Sequence, residues 1–226
     1  VCASTEIELE RWLARRGGGP GPGEVPLAVL ARRQRHGRGQ QGRHWHSPVG
    51  GVWLSAALPW PERPSAALGL AVAVGLALEF EALGLQPRIK WPNDLLLQGR
   101  KFAGVLPRLR LRGSAVRWAQ VGIGVNGVNR VPAGAIALVE ALGGPARRHP
   151  EARPRRLERR VLRALDWARL HAACGDSVRR LAEVRLLASP EGVHHLGAVW
   201  QVDGLGVDGA LCLRRGGLTT RLQRRF

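Results

Sequence analysis

Between Arg88 and Val125 the chain is a succession of short strand-like runs separated by tight punctuation, and any fold must accommodate that block. Arg88 opens one short strand, Trp91-Pro92-Asn93-Asp94 forms a turn, and Leu95 to Leu97 makes a second strand. Gly99 turns the chain into a third strand that begins near Lys101. Ala115 to Val125 is a further strand rich in β-branched residues, and it ends in Gly124-Val125-Asn126-Gly127.

The flanking sequence adds helices and two more strands. Thr5 and Glu8 have capping-box spacing, Ile7, Leu9, Trp12 and Leu13 can face a core, and Gly17 to Gly19 stop the helix, which predicts a first helix with Ser4 and Thr5 at an exposed N-terminus. Strands are predicted at Leu27 to Arg33 and Gly51 to Leu58, then a helix capped by Ser65 that runs through Phe80 and ends near Gly84. Pro132 to Pro154 reads as a short helix and a loop, and Arg155 to Ala173 as a long helix. Beyond about residue 179 the texture changes to short strands and glycine turns, which suits a small β-barrel. The expected fold is α+β, with a main domain over 1–178 and a small C-terminal domain over 179–226.

Length and charge exclude some functions. A chain of 226 residues can bury one substantial core. Its longest apolar run, Ala66 to Leu78, contains two glycines and is too short to cross a bilayer, and the opening residues lack a secretory pattern. Cys2, Cys174 and Cys212 are scattered and odd in number, which argues against a disulfide framework and for a cytoplasmic setting. A formal charge of +18 invites a nucleic-acid partner. The densest arginine run, Arg147 to Arg163, nevertheless falls on an amphipathic helix with Leu157, Val161, Leu162 and Leu165 as apolar positions, so it reads as a solvated face. Weak attraction to polyanions, or steering of an acidic partner protein, stays open. No helix-turn-helix, zinc finger or aromatic-basic platform supplies sequence specificity.

One compositional asymmetry points to chemistry. Of 35 basic side chains, only Lys90 and Lys101 are lysines, and both fall in the strand-dense block. Lysine kept here alone suggests a need for a compact ammonium that a planar guanidinium cannot meet. Earlier, Gln34 to Trp45 combines three glycines with Arg38 and Arg43, so that backbone N–H groups and bidentate guanidinium groups could meet phosphate. Taken alone, such a loop is more often a mobile surface turn, and it is not a Walker loop. His36, His44 and His46 lack a nearby Cys or carboxylate to complete a zinc set, and no Ser or Cys sits in an elbow motif.

Five motifs in order, Gly37-Arg38-Gly39 with Gly42-Arg43-His44-Trp45-His46-Ser47-Pro48, Lys90-Trp91-Pro92-Asn93-Asp94, Lys101-Phe102-Ala103-Gly104, Gly122-Ile123-Gly124-Val125-Asn126, and Gly197 with Asp208-Gly209-Ala210-Leu211, closely resemble biotin protein ligases. The resemblance implies a class II synthetase-like mixed β-sheet catalytic domain followed by a small SH3-like β-barrel. It implies two steps: biotin and ATP give biotinyl-5′-AMP and pyrophosphate, then a lysine of a biotin carboxyl carrier protein, such as that of acetyl-CoA carboxylase, takes the biotin. By the same resemblance Lys101, Arg38 and Arg43 are catalytic. Ser4, Thr5, Gln34, Gly37, Arg38, Lys101 and Gly104 contact biotin, and Arg38, Gly39, Gln40, Arg43, Trp45, Lys90, Asn93 and Asn126 contact ATP.

Alternatives remain at several of these positions. Asp94 either orients a ligand or helps place Mg²⁺, or it stabilises its turn. Trp45 lies against adenine or is a hydrophobic anchor, and Asn126 contacts the nucleotide or makes a turn. Gln40 stands where many members carry another arginine, which implies a looser hold on the adenylate. Glu6 replaces a common asparagine, His36 replaces a small residue, and Arg108 is near a position that is often acidic. The resemblance starts at the catalytic domain, so a monofunctional ligase, monomer or homodimer, without operator-specific DNA binding or membrane attachment is expected. Lipoate ligase is the related alternative.

Overall fold

The computed structural model describes residues 1–21, 23–143 and 149–223; Arg147 and Arg148 of the basic run lie outside the described residues. The strand-dense block forms most of one six-stranded sheet. Its strands are β1 (Leu27–Ala31), β2 (Val52–Leu58), β3 (Arg88–Lys90), β4 (Asp94–Leu97), β5 (Arg100–Arg112) and β6 (Ala115–Val125), in the order β1-β2-β6-β5-β4-β3. The pairings between its named strands are antiparallel, and isolated parallel bridges join Ile89 of β3 to Leu186 and Lys101 of β5 to Ala135. The turns that join β3 through β6 are far too short for the crossover a parallel pair requires.

Side-chain alternation along these strands sorts the sheet into two faces. Val52, Leu54, Ala56 and Leu58 of β2, Ala103 and Val105 of β5, and Val121, Ile123 and Val125 of β6 enter the large core. Against that face lie α2 (Leu68–Glu81) and α4 (Pro154–Leu170). The intervening residues, among them Ser55, Gly104, Leu106, Gly122 and Gly124, face the other way. There α1 (Thr5–Arg16) packs Leu9 and Leu13 on Ala57, with Leu27, Val29 and Trp118 around them.

The helices follow the sequence with informative departures. Ser4 caps α1, its Oγ accepting from the Glu6 N–H at 3.3 Å, and Gly17 ends it at φ 81°. The expected exposed N-terminus is instead buried, with Ser4 and Thr5 at 1% and 3% exposure, because α1 points its first turn at the sheet. Trp12 is 57% exposed, since Leu9 and Leu13 already occupy the inner stripe. On α4, Leu157, Val161 and Leu165 are buried as expected, while Leu162 lies toward solvent. The second helix starts at Leu68, not Ser65; the Ser65 Oγ accepts from the Gly175 N–H at 3.0 Å and so caps a different helix. That helix, α5 (Gly175–Arg185), was not anticipated, and it carries Val178 and Ala182 into the large core where short strands were expected.

After the short α3 (Leu138–Ala141) and α4–α5, the chain ends in a four-stranded sheet of β7 (Val193–His195), β8 (Ala198–Leu205), β9 (Leu211–Arg215) and β10 (Leu218–Leu222), in the order β10-β9-β8-β7. Its pairing is antiparallel and open between β7 and β10 among the described residues. It touches the main sheet's turn directly, where the Trp91 Nε1–H donates to the Gly209 carbonyl at 2.9 Å.

The close approach of α2 to α4 depends on Gly75. A Cβ there would sit 2.5 Å from the Ala164 carbonyl oxygen, a backbone atom that cannot rotate away. Gly75→Ala should therefore force the helices apart and cost about 1–3 kcal/mol, a fall in Tm of about 2–4 °C for each kcal/mol. An unchanged midpoint in thermal melts would refute this packing account.

Candidate active site

A cavity of about 430 Å³ opens on the sheet face opposite α2 and α4. Its floor exists because the sequence puts glycine at consecutive cavity-facing positions: Gly122 and Gly124 on β6 and Gly104 on β5, with Gly104 paired to Gly124 and Leu106 to Gly122. Larger side chains there would fill the space. Ser55, paired to Gly122 from β2, adds a hydroxyl to the floor.

Lys101 reaches this face through a register shift. Counting back from Gly104 by strict alternation would send Lys101 to the core side. Instead Leu95 pairs with Ala103 and Leu96 with Lys101, so the intervening Phe102 is unpaired. Phe102 turns inward, is fully buried and meets Phe80 edge-on at 4.9 Å between ring centroids. The bulge thereby re-aims Lys101 into the cavity, a common use of bulges beside active sites. Its Nζ is 2.5 Å from Asp94 Oδ1 and 4.7 Å from the centre of the Trp45 ring. The ammonium is thus held by one carboxylate and one aromatic face, at the edge of the open space.

The glycine-arginine loop folds back over the cavity. The Trp45 N–H donates to the Gly37 carbonyl at 2.8 Å and the Gly39 N–H to the Arg43 carbonyl at 2.8 Å, with an isolated bridge between Arg38 and His44. Arg38, Gly39, Gln40 and Arg43 line the cavity from this side. The Trp45 indole lies on the glycine floor. A Cβ on Gly124 would come within 2.4 Å of its Nε1, and one on Gly104 within 2.9 Å of its Cζ3. Gly37 does not line the cavity; a Cβ there would meet the Trp45 carbonyl oxygen at 2.4 Å, so its task is to let the loop close.

The first turn of α1 and Gln34 make a polar end wall. Gln34 Oε1 accepts from the Thr5 N–H at 2.7 Å and the Thr5 hydroxyl at 3.0 Å, while its Nε2–H donates to Ser47 Oγ at 2.8 Å. Thr5 Oγ1 is also 2.8 Å from Ser55 Oγ. Ser4, Thr5 and Gln34 all line the cavity. Near the opposite end the Asn93 Nδ2–H donates to the Val105 carbonyl at 2.8 Å, which ties the Trp91–Asp94 turn to β5. Asn126 lines the cavity with its Oδ1 accepting from the Asn129 Nδ2–H at 3.0 Å, and Asn129 Oδ1 in turn accepts from the Gly127 N–H. Asn126 is thus a lining residue whose orientation a buried partner fixes.

Lys90 is not brought to the cavity. Ile89 between Arg88 and Lys90 is fully buried, so alternation turns both basic residues to solvent, and the expectation that Lys90 supports the phosphate end is corrected. Conversely, Gly122 and Gly124, quoted only as part of a motif, form the floor of the site, and Ser55 belongs to it although sequence reasoning gave it no role. A serine inside the apolar run Val52–Leu58 was the available signal. Glu6 also lines the cavity, only 4% exposed, with Oε1 3.0 Å from Arg108 Nη1. Burial pushes its carboxyl above the usual range, against the pull of Arg108. Among the described residues no group of three His, Cys, Asp or Glu side chains is placed to hold a metal ion.

The sequence and the fold have known counterparts. Residues 22–126 match the model of the Biotin/lipoate A/B protein ligase family. Over 109 residues the chain is 44% identical to the Bifunctional ligase/repressor BirA of Bacillus subtilis, a match covering 46% of this chain and 33% of that protein; the chain thus spans about a third of the length of such relatives. Over 214 residues it is 29% identical to the Biotin--[acetyl-CoA-carboxylase] ligase of Mycobacterium tuberculosis, covering 85% of this chain and 75% of that one. In fold it is similar to the Biotin protein ligase from Aquifex aeolicus in complex with biotin and ATP, with a TM-score of 0.72 at 23% identity over 98% of this chain and 92% of that chain.

Proposed function

We propose that the chain, whose residues 22–126 match the model of the biotin/lipoate A/B protein ligase family, is an ATP-dependent biotin protein ligase. The observation that carries this reading is a cavity that brings together the polar group Ser4, Thr5 and Gln34, the arginines Arg38 and Arg43, and the Lys101 ammonium. A small acid and a nucleotide could lie end to end in it. Its volume falls in the roughly 300–1,000 Å³ range of small-molecule sites.

The chemistry follows from charge. A biotin carboxylate oxygen must attack the α-phosphorus of ATP, the bond to the bridging oxygen of the β-phosphate breaks, and pyrophosphate leaves with that electron pair. Two anions must approach in a site shielded from water, and a fixed ammonium between them lowers the barrier. Asp94 orients that ammonium, while Arg38 and Arg43 hold phosphate oxygens and keep the loop closed. Trp45 offers its face to the adenine, and Asn126, held by Asn129, marks the nucleotide side. Mg²⁺ would arrive on the nucleotide phosphates and neutralise part of their charge. Asp94 is already committed to Lys101, so the protein's own contribution to ion binding is small.

In the second step the amine of a carrier-protein lysine attacks the acyl carbon. The bond to the phosphate oxygen breaks, AMP leaves, and the amine proton passes to solvent. The acceptor we assign is a biotin carboxyl carrier protein such as that of acetyl-CoA carboxylase. The catalytic unit we assign runs through α5 to Arg185, since the expected boundary at 178/179 would cut that helix between Val178 and Ala182, and the four-stranded sheet that follows is the smaller C-terminal domain, in a cytoplasmic monomer or homodimer. Gln40 in the closing loop carries no charge, which suits faster escape of the adenylate.

The test is to incubate the chain with ATP, Mg²⁺ and either biotin or lipoate, and to follow acid-dependent pyrophosphate exchange and labelling of a carrier domain. Exchange with biotin but not lipoate is expected. Exchange with lipoate alone would favour the lipoate branch of the family, and exchange with neither would sink the reading.

A further inference from the structure

The polar end wall has one unspent hydrogen-bonding atom that stands out. Gln34 is bonded to Thr5 and Ser47, and Thr5 to Gln34 and Ser55. Glu6 lines the same cavity; it uses Oε1 on Arg108 at 3.0 Å, while its Oε2 is buried without a hydrogen-bond partner. A buried carboxylate oxygen left unpaired is costly, and it is tolerated where a ligand completes it. A phosphate would be repelled there. What suits it is a donor.

We propose that Glu6 Oε2 accepts a hydrogen bond from a ring N–H of the ligand's head group, so that Glu6 selects cyclic ureas and cationic cyclic guanidines and rejects rings that carry no donor. The inference rests on the biotin reading, and it assigns to Glu6 the recognition of the ureido ring. A dithiolane ring would leave the oxygen unpaired. Sites built to bond a ligand N–H discriminate strongly against analogues that lack it, because the buried partner is then stranded. The raised carboxyl of Glu6 is consistent with a group short of stabilising contacts until the site fills. Arg108 does not remove the need, because it also lies 3.7 Å from Glu10 and approaches Glu6 through the other oxygen.

Two substitutions separate hydrogen bonding from packing. Glu6→Leu removes the acceptor. Glu6→Gln keeps the volume, but its one oxygen should stay with Arg108, which turns an NH₂ toward the ligand's N–H. Titration calorimetry of the whole chain with biotin, 2-iminobiotin and lipoate, alongside thermal melts, gives the readout. Wild type should bind biotin and 2-iminobiotin and not lipoate. Both variants should lose about 10–100-fold in biotin affinity, and a further factor of about ten for 2-iminobiotin, whose protonated ring loses a charge partner. Unchanged biotin affinity in both variants, or equal losses on the two ligands, would overturn the assignment, the second by reducing Glu6 to a packing role. A wild-type chain that binds no biotin would overturn both the ligase reading and this one, and that outcome is distinct from either.

Discussion

Replacing Lys101 with alanine is expected to lower biotin-dependent pyrophosphate exchange by about 10²–10³-fold, the usual loss when one preorganised electrostatic group is removed from a transition state. The fold should survive. The lysine side chain is 34% exposed and its partner Asp94 23% exposed, so the broken pair leaves a carboxylate that water can still reach. Lys101→Arg should not restore the rate, because a planar guanidinium must find room between the Trp45 ring, Asp94 and the Gly104 floor. The effect should also be confined to one step. Supplied with preformed biotinyl-5′-AMP, the alanine variant should label the carrier far more nearly at the wild-type rate than it does from biotin and ATP. Near-normal exchange in a folded Lys101→Ala protein would remove this residue from the mechanism.

Lys101 was legible in the sequence because composition isolates it, but its position was not. The strand pattern alone would have sent it to the core, and only the pairing of Leu96 with Lys101 shows that Phe102 is skipped. Lys90, equally isolated in composition, faces solvent because its neighbour Ile89 anchors a three-residue strand. Rarity of a residue type therefore located a neighbourhood, not a side chain. The six strands and four of the five helices were readable from alternation, turns and caps. The exception, α5, carries Val178, Leu181 and Ala182 at helical spacing, a short pattern overshadowed by the glycine turns that follow it, and Val178 and Ala182 anchor it in the large core. Ser4 and Thr5 illustrate the same limit. A cap motif identifies a helix start, but whether that start faces water or a sheet is decided by packing from residues about fifty positions away, such as Ser55.

The glycine floor yields the second large effect. Gly122→Val should leave the protein as stable as wild type or slightly more so, yet weaken biotin binding by at least about 10–200-fold, the range for a methylene-sized intrusion into a fitted pocket. A Cβ at Gly122 would sit 3.4 Å from Leu106 Cβ and 3.8 Å from Ser55 Oγ, ordinary contact with its cross-strand neighbours. Valine is well suited to a strand, where glycine costs roughly 0.5–1 kcal/mol against alanine. The added methyl groups must therefore go upward, into the space bounded by Ser55 and Leu106. Calorimetry with biotin and a thermal melt measure both halves, and an unchanged dissociation constant would mean that the ligand does not lie on this floor. Paired with Lys101→Ala the result is diagnostic, since Lys101→Ala should lose far more exchange rate than biotin affinity, while Gly122→Val should keep its ammonium with nothing beside it to activate. If Lys101→Ala instead kept near-normal exchange while Gly122→Val lost binding, the cavity and the lysine would not be parts of one site.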